Sequence, residues 1–167
     1  VRDGVDRILD QWRAERPDID PSPMGIVGRV ARLHRLLDRA LGDNFAAHGL
    51  QRGEFDILAT LRRSGPPYRL TAGALTASAM VTSGAITNRI DRLAAKGLVT
   101  RETDPANRRS VLITLTDEGR RLVDRVLLTH VHLESRLLSG LTPEDRETLT
   151  AVLRKLLVTL GDTDPTS

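Results

Sequence analysis

The sequence predicts a mostly α-helical fold carrying one small β-hairpin, and three observations predict it. Apolar residues recur at threes and fours along most of the chain, the spacing that lines one face of a helix. Only four of the 167 residues are aromatic (Trp12, Phe45, Phe55 and Tyr68), so Leu, Val, Ile and Ala must fill the core, which suits helices better than an all-β sandwich. Between residues 98 and 115 the helical period gives way to alternation around a polar turn.

Taken in order, residues 3–16 form a short amphipathic helix on Val5, Ile8, Leu9 and Trp12, ended by Pro17, Pro21 and Pro23. A long helix follows from 24 to 47, with Ile26, Val27, Val30, Leu33, Leu37, Ala40 and Leu41 on one strongly apolar face, closing near Gly49. Residues 51–64 carry Phe55, Ile57, Leu58 and Leu61 and stop at Ser64-Gly65-Pro66-Pro67, which neither continues a helix nor enters a central strand. Two short helical pieces, 71–77 and 83–96, are separated by a few residues around Met80. Thr82 or Ser83 caps the second, Ile86, Ile90 and Leu93 form its buried stripe, and Gly97 supplies its left-handed C-terminal cap. Its opposite face shows Thr87, Asn88 and Arg92. Residues 98–103 and 109–115 read as the two strands of the hairpin around the turn 104–108. Thr116-Asp117-Glu118 opens a helix reaching about residue 138, and Thr142-Pro143-Glu144-Asp145 opens a last one carrying Leu149, Val152, Leu153, Leu156 and Leu160.

Composition narrows the function. A net charge of +3 is too small to mark a nucleic-acid binder by itself, so the distribution decides. Between residues 79 and 110 the bases Arg89, Arg92, Lys96, Arg101, Arg108 and Arg109 face only Asp91, Glu102 and Asp104. The first 20 residues are the reverse, with Arg2, Arg7, Arg13 and Arg16 against Asp3, Asp6, Asp10, Glu15, Asp18 and Asp20, which argues against a DNA-binding arm there. The absence of cysteine removes disulfides, thiolate metal sites and cysteine redox sensing. No run approaches the roughly 18 apolar residues of a membrane span, and the N-terminus lacks the apolar core of a secretory signal, so the expected location is cytoplasmic.

Joined short helices followed at once by a hairpin make a winged helix-turn-helix, with one element sized for a major groove and another for the adjacent minor groove. The expected partner is double-stranded DNA, contacted by Thr82, Ser83, Thr87, Asn88, Arg92, Arg108 and Arg109. Arg108, at the exposed tip, suits the minor groove, whereas Arg109 at the strand start has a second reading, pairing with Asp91 or Asp104 to orient the tip. The organisation expected is residues 1–50 and 117–167 as dimerising helices around a DNA-binding region at 51–116, in one intertwined domain.

The run MVTSGAITNRIDRLAAKGLVTRETDPANRRSVLITLTDEG, residues 80–119, resembles the recognition helix and wing of the MarR family. The resemblance implies a two-fold homodimer in which N- and C-terminal helices interlock and each wing domain reads a half-site; the apolar stripes of the long and last helices independently want such partners. The family pattern has an acid two residues before the second wing arginine; here that position is Asn107, with Asp104 as the nearest substitute. The added helix with Trp12, the segment WRAERPDID and the block GEFDILATLRRSGPPYRLT further resemble the urate-responsive PecS/HucR branch. That resemblance implies an effector site built from Trp12, Asp56, Arg63 and Arg89, and a ligand-responsive regulator, a repressor, released by urate or a related purine.

The residues themselves allow that site. Asp56 and Arg63 are seven apart on one helix face and sit about 10 Å apart along the axis, too far to pair directly. A planar anion between them would accept from Arg63 and Arg89 and be repelled by Asp56. The alternatives are Trp12 as a core anchor beside an internal charge network, a phenolic or other aromatic effector, and a helical interaction protein without a ligand. Catalysis and metal binding are not expected: His130 and His132 lie two apart and face different ways, His34 and His48 have no accompanying acid cluster, and no HExxH motif occurs. No cofactor is implied.

Overall fold

The computed structural model describes residues 1–78 and 86–163. It divides into two compact units, Val1–His130 and Val131–Ser167. In the first unit α1 (Gly4–Glu15), α2 (Ser22–Ala46) and α3 (Arg52–Arg63) precede a short strand β1 (Arg69–Thr71), then α4 (Ala72–Ser78), α5 (Ile86–Ala95), β2 (Val99–Thr103) and β3 (Val111–Leu115). The unit boundary falls inside α6 (Asp117–Leu137), and α7 (Pro143–Thr159) belongs to the second unit.

Helix α1 begins at a capping box: Asp3 accepts from the amides of Val5 (2.8 Å) and Asp6 (3.1 Å), and Asp6 accepts from the amide of Asp3 (2.9 Å). The same two carboxylates hold Arg29 of α2 at 2.8 and 2.6 Å. Val5 and Leu9 are buried between the helices, and a Cβ at Gly25 would stand 3.2 Å from Leu9, one at Gly28 3.5 Å from Val5. Position 5 therefore lies beside 28 and position 9 beside 25. The two helices run antiparallel, and Trp12 lies at the N-terminal end of α2. Trp12 is 39% exposed, which removes the reading of it as a core anchor of the protomer.

At the other end of α2, Phe45 stacks on Phe55 of α3 with ring centroids 4.5 Å apart, and His130 of α6 closes the cluster at 5.4 and 5.0 Å. The predicted stripe of α3 lies in the core: Ile57, Leu58 and Leu61 are fully buried, as are Leu75 of α4, Leu93 of α5 and Val126 of α6. Full burial of each such side chain contributes roughly 1.5–3 kcal/mol.

The sheet is antiparallel in the order β1-β3-β2, with Leu70 opposite Ile113 and Arg101 also opposite Ile113 on the other side. Strand β1 was not expected from the sequence. It starts just after Tyr68, whose ring is flanked by the guanidinium groups of Arg62 (5.2 Å) and Arg120 (5.9 Å), and Arg62 is itself fixed by Asp124 at 2.8 Å. Gly97 (φ +70°) ends α5 as predicted, letting the amide of Leu98 reach the carbonyl of Leu93 at 3.0 Å. Gly119 is required for another reason: a Cβ there would lie 2.1 Å from the Leu98 carbonyl oxygen, so only glycine lets α6 start against the strand entry.

The long helix buries little on its own. Ile26, Val27 and Leu33 are 64%, 69% and 48% exposed, although they belong to its apolar stripe. In the second unit α7 opens on the expected Thr142 and Asp145 capping box with Pro143 in its first turn, and none of its residues is buried. Among the described residues no helix is long and apolar enough to cross a membrane.

Candidate functional site

Helix α5 lies with Ile86, Ile90 and Leu93 inward, which turns Thr87 and Asn88 to solvent. Thr82 and Ser83, named as cap and DNA contacts, lie outside the described residues. Arg92 is not simply a free surface base. Its Nε is 3.3 Å from Oε1 of Glu54, a carboxylate on α3 that is only 1% exposed, an attraction of charges without a hydrogen bond, whereas Lys96 Nζ donates to Oε2 of the same group at 2.9 Å. Glu54 Oε2 also accepts from the amide of Gln51 at 2.8 Å, while Lys96 donates to the Gly49 carbonyl at 2.9 Å. Sequence reasoning counted Glu54 as neither core nor site residue. Its only signal was a carboxylate set among Gly53, Phe55 and Ile57 at the start of an otherwise apolar helix face.

The wing turn is made by short polar side chains on the main chain. Asp104 Oδ1 accepts from the amide of Ala106 at 2.9 Å, and Asn107 Oδ1 accepts from the amide of Arg109 at 3.1 Å. Asn107, standing where the family pattern has an acid, thus shapes the tip by accepting a main-chain hydrogen bond. The pairing of Arg109 with Asp91 or Asp104 is corrected: Asp91 is taken by Arg101 of β2, and Asp104 is used in the turn. Arg108 and Arg109 are both exposed at the tip. Arg101 braces the wing to α5, a link the sequence did not expose because it joins residues in different elements.

Beside the exposed Thr87 and Asn88, Arg89 of α5 lies against α3 at Gly53. A Cβ at Gly53 would meet its Nε at 2.5 Å and its Cζ at 2.6 Å, so the absence of a side chain at 53 is what admits the guanidinium. Arg89 Nη1 is buried and has no hydrogen-bond acceptor among the described residues. Gly53, Asp56, Thr60 and Arg63 share one face of α3 at helical spacing. Asp56 is half-buried there, and its carbonyl accepts from Thr60 Oγ1 at 2.7 Å. Arg63 donates through Nη2 to the carbonyl of Ser78, the last residue of α4, so it ties α3 to the end of the first short helix.

Three of the four expected effector residues therefore lie at the junction of α3 with the paired short helices. Trp12 does not join them within a protomer. From Gly25 to Phe45 is twenty residues of α2, about 30 Å of helix, and α3 begins at the far end. Even allowing for side-chain reach, Trp12 and Asp56 are more than about 20 Å apart. The groove between α1 and α2, of about 790 Å³, is a separate, apolar one with Arg32 and Arg35 at its rim. No cluster of three or more potential metal ligands occurs among the described residues.

Residues 48–110 match the model of the MarR family. Over 152 residues the chain is 42% identical to the HTH-type transcriptional regulator PecS of Dickeya dadantii (strain 3937), covering 91% of this chain and 92% of that one. Its fold is similar to that of a mutant MarR from E. coli complexed with operator DNA (TM-score 0.70, 26% identity, 87% of this chain and 97% of that one). It is also similar to Bordetella bronchiseptica BpsR, whose DNA binding is regulated by 6-hydroxynicotinic acid (TM-score 0.72, 25% identity, 83% and 94%). These relatives are regulators and not enzymes, which is the class the sequence predicted.

Proposed function

Because the chain belongs to the MarR family of DNA-binding transcriptional regulators, we propose that it acts in the cytoplasm as a homodimeric repressor of a pseudo-palindromic operator, released by urate or a related planar anion. Residues 1–50 and 117–167 join the protomers and 51–116 read DNA. The dimer reading is supported by the exposed apolar stripe of α2 and by α7, which buries none of its leucines alone. Thr87 and Asn88 enter the major groove, with Thr82 and Ser83 as further DNA contacts, and Arg108 and Arg109 follow the wing to the phosphates and minor groove.

The observation that carries the effector reading is Arg89: a half-buried arginine on the recognition helix, whose buried Nη1 lacks an acceptor among the described residues, set against the face of α3 that bears Asp56 and Arg63. An unsatisfied buried donor costs about 1–3 kcal/mol, and an anion between Arg89 and Arg63 removes that cost. Binding also competes with the existing bond from Arg63 to the Ser78 carbonyl, so the anion perturbs the end of α4 and the start of α5 together. That is a differential interaction with two states of the DNA-reading pair, which is what allosteric release requires. Trp12 can contribute only from the second protomer, since its own protomer holds it at the other end of α2.

The reading is tested by titrating urate, xanthine and a phenolic acid into the protein bound to its operator. Release by the purines supports it; release by the phenolic acid alone reassigns the effector class; no release by any of them removes ligand control and leaves DNA binding.

A further inference from the structure

Glu54 is a carboxylate with 1% of its side chain exposed, and burying such a group costs several kcal/mol unless it is well paired. An apolar residue at the first turn of α3 would pack without that cost. The pairs it makes are specific in direction. Apart from the amide of Gln51, its partners are Arg92 of α5, one turn beyond the exposed Thr87 and Asn88, and Lys96, the residue that directly follows α5. Both cations are still about half exposed, at 48% and 40%, so their stems lie on the helix surface while their charged ends are drawn toward α3. Lys96 is held a second time by the Gly49 carbonyl at 2.9 Å. The other base of α5, Arg89, lies against Gly53.

We propose that Glu54 is a specificity-determining residue, which holds Arg92 and Lys96 of the recognition helix back from DNA phosphates. The sequence reading had given Arg92 a direct DNA contact; the buried carboxylate gives it an internal one. Free on this helix, two cations would each neutralise a phosphate on any duplex and raise affinity without regard to sequence. Held by Glu54, they leave Thr87 and Asn88 as the polar groups α5 presents, and leave non-specific attraction mainly to the wing arginines. The clamp also fixes the rotation of α5 about its axis on α3, since its two points of attachment lie one turn apart.

The test compares operator and random duplex affinity across a salt series for three forms of this chain: wild type, Glu54→Gln, and the triple variant Glu54→Gln, Arg92→Gln, Lys96→Gln. Glutamine keeps the volume and an acceptor for Gln51 while removing the charge. Glu54→Gln is expected to bind random duplex more tightly, to steepen the salt slope by up to about two units per protomer, and to lower the ratio of operator to random affinity. The triple variant is expected to return the salt slope to the wild-type value, because the released cations are gone. A merely structural Glu54 weakens both duplexes together with an unaltered slope, and that result overturns the proposal. Should Glu54→Gln not fold, the triple variant still decides: a slope shallower than wild type by one to two units per protomer shows that Arg92 and Lys96 contact phosphate in the native protein, and the proposal fails.

Discussion

Substituting Gly53 by alanine moves Arg89 without removing it, and so separates the side chain from its charge. The added Cβ would stand 2.5 Å from Arg89 Nε, 2.6 Å from Cζ and 2.8 Å from Cδ, whereas heavy atoms pack at about 3.5–4.0 Å. The guanidinium must therefore retreat by roughly 1 Å or leave α3, and as the end of a flexible side chain it can do so without shifting backbone. Gly53 is the second residue of α3, where alanine gains less over glycine than the about 0.8–1 kcal/mol of a helix interior, so the fold is expected to keep its melting temperature. Losing a charge-assisted hydrogen bond from Arg89 costs roughly 1.5–3 kcal/mol of ligand affinity, a fall of more than tenfold. Isothermal titration of urate into Gly53→Ala and wild type, beside their thermal melts, reads both quantities. Undiminished urate affinity in a stably folded variant refutes the placement of Arg89 in the effector site.

Arg108→Ala is expected to weaken binding to every duplex and to lower the salt slope by about one unit for each wing, measured by anisotropy across a salt series; an unchanged slope removes Arg108 from the DNA. Co-purified heterodimers carrying Trp12→Ala in one protomer and Arg89→Ala in the other are expected to bind one urate with wild-type affinity, because one composite site stays whole; if each site lies within one protomer, both are damaged and no wild-type binding remains. The attachment of α1 is expected to be acid-sensitive. The Asp6 carboxyl is held below its ordinary value of 3.8 by the amide of Asp3 and by Arg29. A lowered folded-state pKa contributes stability that is present above 3.8 and lost as pH falls through the lowered value, so emission from Trp12, the only tryptophan, should stay constant between about pH 5 and pH 8 and change only in stronger acid. A change centred near pH 6 would assign the sensitivity to a histidine instead.

The helices were legible because their apolar periodicity is a local property. Ile57, Leu58 and Leu61, or Ile86, Ile90 and Leu93, reveal a buried face within two turns of sequence, and the structure buries both sets. Gly97 and the Thr142 capping box were legible for the same reason. Strand β1 was not, since three residues cannot display a period of two and their extended form is set by pairing with Thr114, Ile113 and Leu112 about 45 positions away. The same distance in sequence hid the role of Glu54, whose meaning depends on Arg92 and Lys96 arriving from another helix. It also hid the separation of Trp12 from Asp56: helical rise sets the length of α2, but only the pairing of Val5 with Gly28 and Leu9 with Gly25 shows which end α1 occupies. Apolar stripes that look like core in a single sequence, those of α2 and α7, are exposed in the protomer because their partner is another chain under the dimer reading.

The central claim is a dimer on DNA that a small anion releases, and the mass of the operator complex measured by light scattering with and without urate tests it most directly. The account predicts a complex holding one operator duplex and two 18.4 kDa chains, which separates into free duplex and protein dimer when urate is added. A complex with a single chain per duplex, or one whose mass is the same with saturating urate, contradicts it.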